Sequence, residues 1–106
     1  MPRALAGLRV IDCSRLIAGG VLTTVLADHG ADVVKVEHPR GGDPLRTWLR
    51  EAGELWWKVY ARGKRGVTLD LASPRGQDIL RRLVHGADIL VESFVPGTLE
   101  KWKLGP

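Results

Sequence analysis

Short aliphatic and β-branched runs recur along the chain at "LRVIDC" (8–13), "ADVVKVE" (31–37), "GVTLDL" (66–71) and "DILVESF" (88–94). Runs of this length and composition read as strands. Between the first two, apolar residues fall at Val21, Leu22, Val25 and Leu26, which is helical spacing, and Gly30 stands where a C-terminal cap is expected. Between the last two, Ser73 offers an N-cap and Pro74 suits the first helical position. Ile79, Leu80, Leu83 and Val84 form an apolar stripe there, and Gly86 offers a stop. A crossover of this length joins parallel strands, and near-continuous apolar strands suit a sheet covered on both faces. The pattern therefore predicts an α/β fold with a parallel sheet built from βαβ units.

Residues 38–62 interrupt the alternation. "HPRGGDP" breaks regular structure, "LRTWLREAGELWWKVYARG" reads as helical in pieces, and Trp48, Trp56 and Trp57 must pack on the domain or on another protein surface. After the fourth strand, "PGTLEKWKL" reads as a short helix. No internal repeat or low-complexity segment is visible.

With 106 residues, 44% of them hydrophobic and 26% charged, the chain falls in the range of one ordinary globular domain. Its net charge of +4 favours an anionic partner. The basic residues are scattered rather than run together, which argues against a nucleic-acid tail. Cys13 is the single cysteine, so no internal disulfide forms and the cytoplasm is the expected compartment. Cys13 itself reads as an inert core thiol. The start lacks a signal-peptide core, and no apolar run approaches a membrane span.

Ligands of open parallel sheets bind beyond the carboxyl ends of the strands, here "SRLIAGG", "EHPRGGD", "LAS" and "SFVPG". Gly19, Gly20 and Glu37 suggest a nicotinamide-nucleotide site, but residues 14–30 contain no G-x-G-x-x-G. Ser14, His38 and Asp43 compose a triad on paper without a nucleophile-elbow motif. His29, His38 and His85 lie far apart and Cys13 has no CxxC partner, so no metal site is expected. The cations of "RGKRG" (62–66) precede the third strand. Arg62 reads as a solvated strand entry, while Asp70 reads as a cap for the helix that starts at Pro74.

Five stretches, "LAGLRVIDCSRLIAGG", "LADHGADVVKVEHPRGGDP", "RGKRGVTLDLASPRG", "LRRLVHGADILVESF" and "VPGTLEKWKLGP", together resemble the class III coenzyme A transferases of CaiB/BaiF type, which include the α-methylacyl-coenzyme A racemases. The match is collinear and covers nearly the whole chain. The resemblance implies that residues 1–106 are the N-terminal, Rossmann-like, coenzyme A-binding portion of a longer enzyme. The substrates it implies are coenzyme A or an acyl-coenzyme A together with a carboxylic acid, without a metal, and family members form interlocked homodimers.

By the same resemblance, Ile17 and Ala18 would touch the nucleotide and His38 would lie against the adenine. Leu69, Asp70, Leu71 and Ala72 would line the adenosine side, Ser93, Phe94 and Val95 would border the pantetheine or adenine, and Lys101 would hold a phosphate. Lys64 and Arg65 would serve the fold or a dimer. His38 stands where arginine is usual, and Ala72 where lysine is frequent. The family's nucleophilic aspartate, which attacks the acyl thioester, lies downstream of these motifs, as does the racemases' histidine and aspartate pair. No catalytic residue is therefore expected here, and the 106 residues are expected to be inactive by themselves. The expectation is coenzyme A transfer between carboxylic acids, with α-methylacyl-coenzyme A racemisation or a non-catalytic nucleotide-binding module as the alternatives.

Overall fold

The computed structural model describes residues 3–47 and 55–105. In chain order its elements are β1 (Arg9–Asp12), α1 (Ala18–Asp28), β2 (Asp32–Glu37), a 3-10 turn at Pro44–Arg46, α2 (Leu55–Tyr60), β3 (Lys64–Thr68), α3 (Pro74–His85), β4 (Ile89–Val91) and α4 (Thr98–Lys101). The four strands form one parallel sheet in the order β3-β2-β1-β4. This is the expected α/β architecture.

The first two strands are shorter than their runs by one or two residues, and larger differences fall at the other two. The third begins two residues earlier, at Lys64, and Leu69, Asp70 and Leu71 lie beyond its end. Leu69 and Leu71 are still buried because they turn into the core that α3 covers. The fourth strand is three residues long rather than seven, since pairing with β1 ends at Val91. The helix read in residues 96–104 is a single turn, Thr98–Lys101. Trp48 lies outside the described residues.

Alternation along β1 gives the sheet two different faces. Ile11 and Cys13 join Val36, Leu69, Leu71 and Leu80 in the larger core, with the rest of the α3 stripe packed against it. The other face holds Val10, Val33 and Ala31, and next to them lies Asp12, a fully buried carboxylate. In the parallel register Asp12 stands beside Lys35. Ser14 N and Ser14 Oγ donate to Asp12 Oδ1 at 2.9 and 2.5 Å, and Thr23 Oγ1 of α1 donates to Oδ2 at 2.6 Å. Lys64 Nζ completes the set at 3.2 Å from Oδ2, and also donates to Tyr60 O and Gly20 O at 2.8 and 3.2 Å.

That carboxylate decides how α1 packs. The residues α1 buries are Gly19, Gly20, Thr23 and Thr24, whereas Val21, Leu22 and Val25, which mark the segment as helical, are 36%, 50% and 49% exposed. Small residues allow the close approach: a Cβ on Gly19 would collide with the Ser14 side chain. The helix ends in a Schellman motif, with Gly30 N on Ala27 O, Ala31 N on Leu26 O, and Gly30 at φ 104°.

Helix α3 follows its sequence signals closely. Ser73 Oγ accepts from Gly76 N at 3.1 Å, Pro74 opens the first turn, and Leu80 is 2% exposed. Its first turn lies so near the preceding loop that a Cβ at Gly76 would strike the Asp70 carbonyl. Gly76→Ala should therefore destabilise the fold by about 1–3 kcal/mol through overpacking. Gly66→Ala, where a Cβ meets nothing within 4 Å, should stay within about 0.5 kcal/mol of the parent. Urea unfolding with an unchanged m-value measures both, and equal stabilities would show that the loop yields.

Candidate functional site

The strand order reverses between β1 and β4: β2 and β3 lie to one side of β1, and β4 lies to the other. Crevices form beyond such a reversal. A cavity of about 170 Å³ opens there, with walls from all four strand ends. The first contributes Ser14 and Arg15, the second Glu37, His38 and Asp43, the third Leu69 to Ala72, and the fourth Phe94, with Trp102 closing the side. The cavity is smaller than the ~300 Å³ at which drug-sized sites begin, so it suits one end of an extended ligand.

Each wall is held by its own contacts. Phe94 meets Trp102 edge to face at 5.3 Å between centroids, and the Arg15 guanidinium carbon lies 5.4 Å from the Phe94 centroid. Arg15 N donates to Ser93 Oγ at 3.0 Å, joining the first and fourth strand ends. His38 Nδ1 accepts from Arg40 N at 2.9 Å, and its Nε2 lies 3.7 Å from Asp70 Oδ1. Asp70 Oδ1 also accepts from Ala72 N at 3.0 Å, so Asp70 orders its own loop while Ser73 caps α3.

Beneath the cavity lie the charged groups. Glu37 accepts from Arg46 through both oxygens, at 2.7 and 2.8 Å, and from Asp43 N at 2.7 Å. The Arg46 guanidinium stacks over the Trp57 ring at 3.9 Å. Arg46 in this fork, with the Asp43 amide also donating, holds the Glu37 carboxyl below the usual carboxylate range despite its partial burial. Burial pushes the Asp12 carboxyl up, but Lys35, the Ser14 and Thr23 hydroxyls and Lys64 outweigh it and leave it below its ordinary value. Burial lowers the Lys64 ammonium, and Asp12 offsets this in part. Cys13, buried beside Asp12, has its thiol pushed up to about 12, which leaves it inert as a nucleophile.

Of the residues proposed from the sequence, His38, Leu69, Asp70, Leu71, Ala72 and Phe94 converge on the cavity. Ser93 stands at its edge through the Arg15 amide. Ile17 caps the start of α1 and Ala18 is its first residue, Val95 is 77% exposed, and Lys101 ends α4 on the surface; none of these four lines the cavity. The paper triad does not assemble, because Ser14 Oγ is committed to buried Asp12 and Asp43 to Lys35. Glu37, considered as a ribose-binding acid, is occupied by Arg46. Arg15, Trp102 and the Glu37–Arg46 fork escaped the sequence reading. For the fork a signal was present, an acid closing an apolar strand nine residues before an arginine.

Comparison with known proteins places the chain in context. Residues 5–106 match the model of CoA-transferase family III. The chain is 47% identical over 107 residues to succinyl-CoA–D-citramalate CoA-transferase of Chloroflexus aurantiacus, covering 98% of this chain and 27% of that protein. It is 49% identical over 104 residues to the succinyl-CoA–L-malate CoA-transferase beta subunit of the same organism, covering 95% and 26%. A crystal structure of a CAIB/BAIF family protein from Brucella suis superposes with a TM-score of 0.91 at 38% identity, covering all of this chain and 30% of the other. The chain thus spans about a quarter of the length of the curated relatives it matches.

Because Asp12 and Glu37 titrate below their ordinary values in the folded state, the stability they contribute is complete above the ordinary carboxylate range. It is lost as pH falls through their folded values. The urea midpoint should therefore hold from pH 7 to about pH 5 and then drop. Glu37→Gln should cost about 2 kcal/mol at pH 7 and flatten part of that acid limb. An unaltered limb would assign it to other carboxyls.

Proposed function

The chain belongs to CoA-transferase family III, and from that premise we propose that its strand-end cavity holds the nucleotide end of a coenzyme A thioester while coenzyme A passes between two carboxylic acids. The observation that carries this reading is the convergence of all four strand ends on one cavity at the reversal of strand order.

The chemistry of the cavity supports an anionic ligand with a flat, aromatic end. His38, Phe94 and Trp102 supply faces for stacking, and Arg15 supplies a cation. In Leu69 to Ala72, Leu69 N, Asp70 O, Leu71 O and Ala72 N are bonded within the chain, so it is the remaining peptide groups of this stretch that are left to read polar edges. Ile17, Ala18, Val95 and Lys101, outside the cavity, would meet the ligand where it extends over the surface. Residues 1–106 are read as one nucleotide-holding unit of the enzyme. The two curated relatives named above carry succinyl-CoA in their names, and the thioester of a small dicarboxylic acid is the corresponding choice of coenzyme A donor here.

No catalytic residue is assigned within these 106 residues. The transferase reaction needs a carboxylate free to attack the thioester carbonyl, expel the thiolate and form a mixed anhydride. Glu37 is held by Arg46, Asp43 by Lys35 and Asp12 by Ser14, Thr23 and Lys64. Asp70 is half-exposed and ties down Ala72 N, which keeps it hydrated and weakly nucleophilic. By the chain's resemblance to the family, the attacking aspartate is assigned to the part of the enzyme that this chain does not span.

Calorimetric titration tests the reading. Coenzyme A should bind, dephospho-coenzyme A about tenfold more weakly, and NAD more weakly still. Ala72→Lys, at an exposed position on the cavity wall, should tighten coenzyme A binding several-fold by adding a cation near its phosphates. The chain incubated with succinyl-coenzyme A and an acceptor acid should show no transfer above background. Equal affinities for coenzyme A and NAD would replace this reading with a general nucleotide-binding module.

A further inference from the structure

Two contacts hold the turn that follows β1, and they come from a pair of side chains on the next strand and its loop. Lys35 Nζ donates to Ser14 O at 2.5 Å, and Asp43 Oδ1 accepts from Leu16 N at 3.0 Å. Lys35 Nζ lies 2.6 Å from Asp43 Oδ2, an ion pair set off the line of a hydrogen bond. Both residues are buried, at 4% and 3% exposure. The turn needs to be held, because Leu16 has φ 62°, in the left-handed region that a leucine enters at a cost.

Arg15 sits between the two gripped residues. Its amide is fixed to Ser93 Oγ, its guanidinium rests over Phe94 and lines the cavity, and among the described residues it has no carboxylate partner. Asp43 is anchored independently, accepting from Leu45 N at 2.9 Å and donating its own N–H to Glu37 Oε2. A buried ion pair is a poor device for stability, since an apolar pair of similar volume often does as well. Its placement around a strained turn that carries an unpaired cation into a cavity is a better account of why it is there.

We propose that the Lys35–Asp43 pair is a clamp that holds the strained Ser14–Leu16 turn against the second-strand loop and so aims Arg15 at the phosphates of the ligand. Arg15 is then a ligand-contacting residue, and Asp43 is a positioning residue that acts through it. This inference rests on the cavity being a coenzyme A site.

A double-mutant cycle tests it. Arg15→Ala should weaken coenzyme A binding about tenfold, as expected for loss of a charge-assisted contact, and leave pantetheine, which lacks the phosphates, unaffected. Asp43→Ala should cause a similar loss, and the double variant should be no worse than either single one, because both remove the same contact. Additive losses would overturn the proposal. If Asp43→Ala does not fold cooperatively, Asp43→Asn replaces it in the cycle, keeping the Leu16 acceptor while cancelling the charge. A several-fold loss that vanishes in the Arg15→Ala background supports the clamp, and an equal loss in both backgrounds overturns it. Amide exchange at Leu16 separates the clamp from the ligand assignment. Should the parent chain bind no coenzyme A, the coenzyme A reading fails, while faster Leu16 exchange in the Asp43 variants still supports the clamp and unchanged exchange refutes it.

Discussion

A single carboxylate buried in the central strand pair constrains more of this fold than any apolar contact. Asp12 is fully buried on β1, and an ion removed from water costs several kcal/mol unless its lone pairs are filled. The groups that fill them come from separate elements: Ser14 just past β1, Thr23 on α1 and Lys64 on β3, with Lys35 alongside on β2. The requirement therefore fixes three strands and a helix relative to one another. Thr23 has to reach the sheet, so α1 lies close there, and closeness admits glycine and threonine on that part of its inner side, while Leu26 and Ala27 pack against the Val10 and Val33 cluster nearer its end. The outward position of Val21, Leu22 and Val25 follows from this, as a consequence of what the inner face must accommodate.

The same logic accounts for the basic segment that leads into β3. Its three cations face an anionic ligand in appearance only, since each is paired with an aspartate of this chain. Arg62 binds Asp28 at 2.8 Å, Lys64 binds Asp12 at 3.2 Å and Arg65 binds Asp32 at 2.6 Å. Alternation on the strand then separates their roles. Arg62 and Arg65 are exposed pairs of small energetic weight, while Lys64 is turned inward, where its ammonium replaces water around Asp12. Net positive charge is thus a weak guide to where a ligand sits.

Much of the fold was legible because its signals are local. The α3 segment announces its cap, its first proline and its buried stripe within a dozen residues, and the structure follows each of them. Strand ends were less legible, since Leu69 and Leu71 are apolar for the sake of a core they enter after leaving the sheet. The inner face of α1 was hidden because apolar periodicity reports that a segment is a helix without saying which side meets the sheet when the sheet presents a charge. In the cavity, the third strand end could be anticipated from its place before a helix. The proposed roles of Arg15 and Asp43 could not, because they depend on a turn at positive φ and on an ion pair between a strand residue, Lys35, and the loop that follows its strand.

In the proposed site, the two loops that meet at the cavity divide the work of recognition. His38 accepts the Arg40 amide at Nδ1, which leaves Nε2 as the nitrogen that faces Asp70 and sets the ring as a flat face of the cavity wall. The end of β2 and its loop thus contribute shape and stacking, and their two carboxylates, Glu37 and Asp43, are already matched to Arg46 and Lys35. The first-strand turn contributes the opposite: little surface, but an arginine whose charge no neighbouring carboxylate neutralises among the described residues. A clamp between these loops makes physical sense, because a stacking surface and a cation recognise one ligand only if their separation is fixed before it arrives.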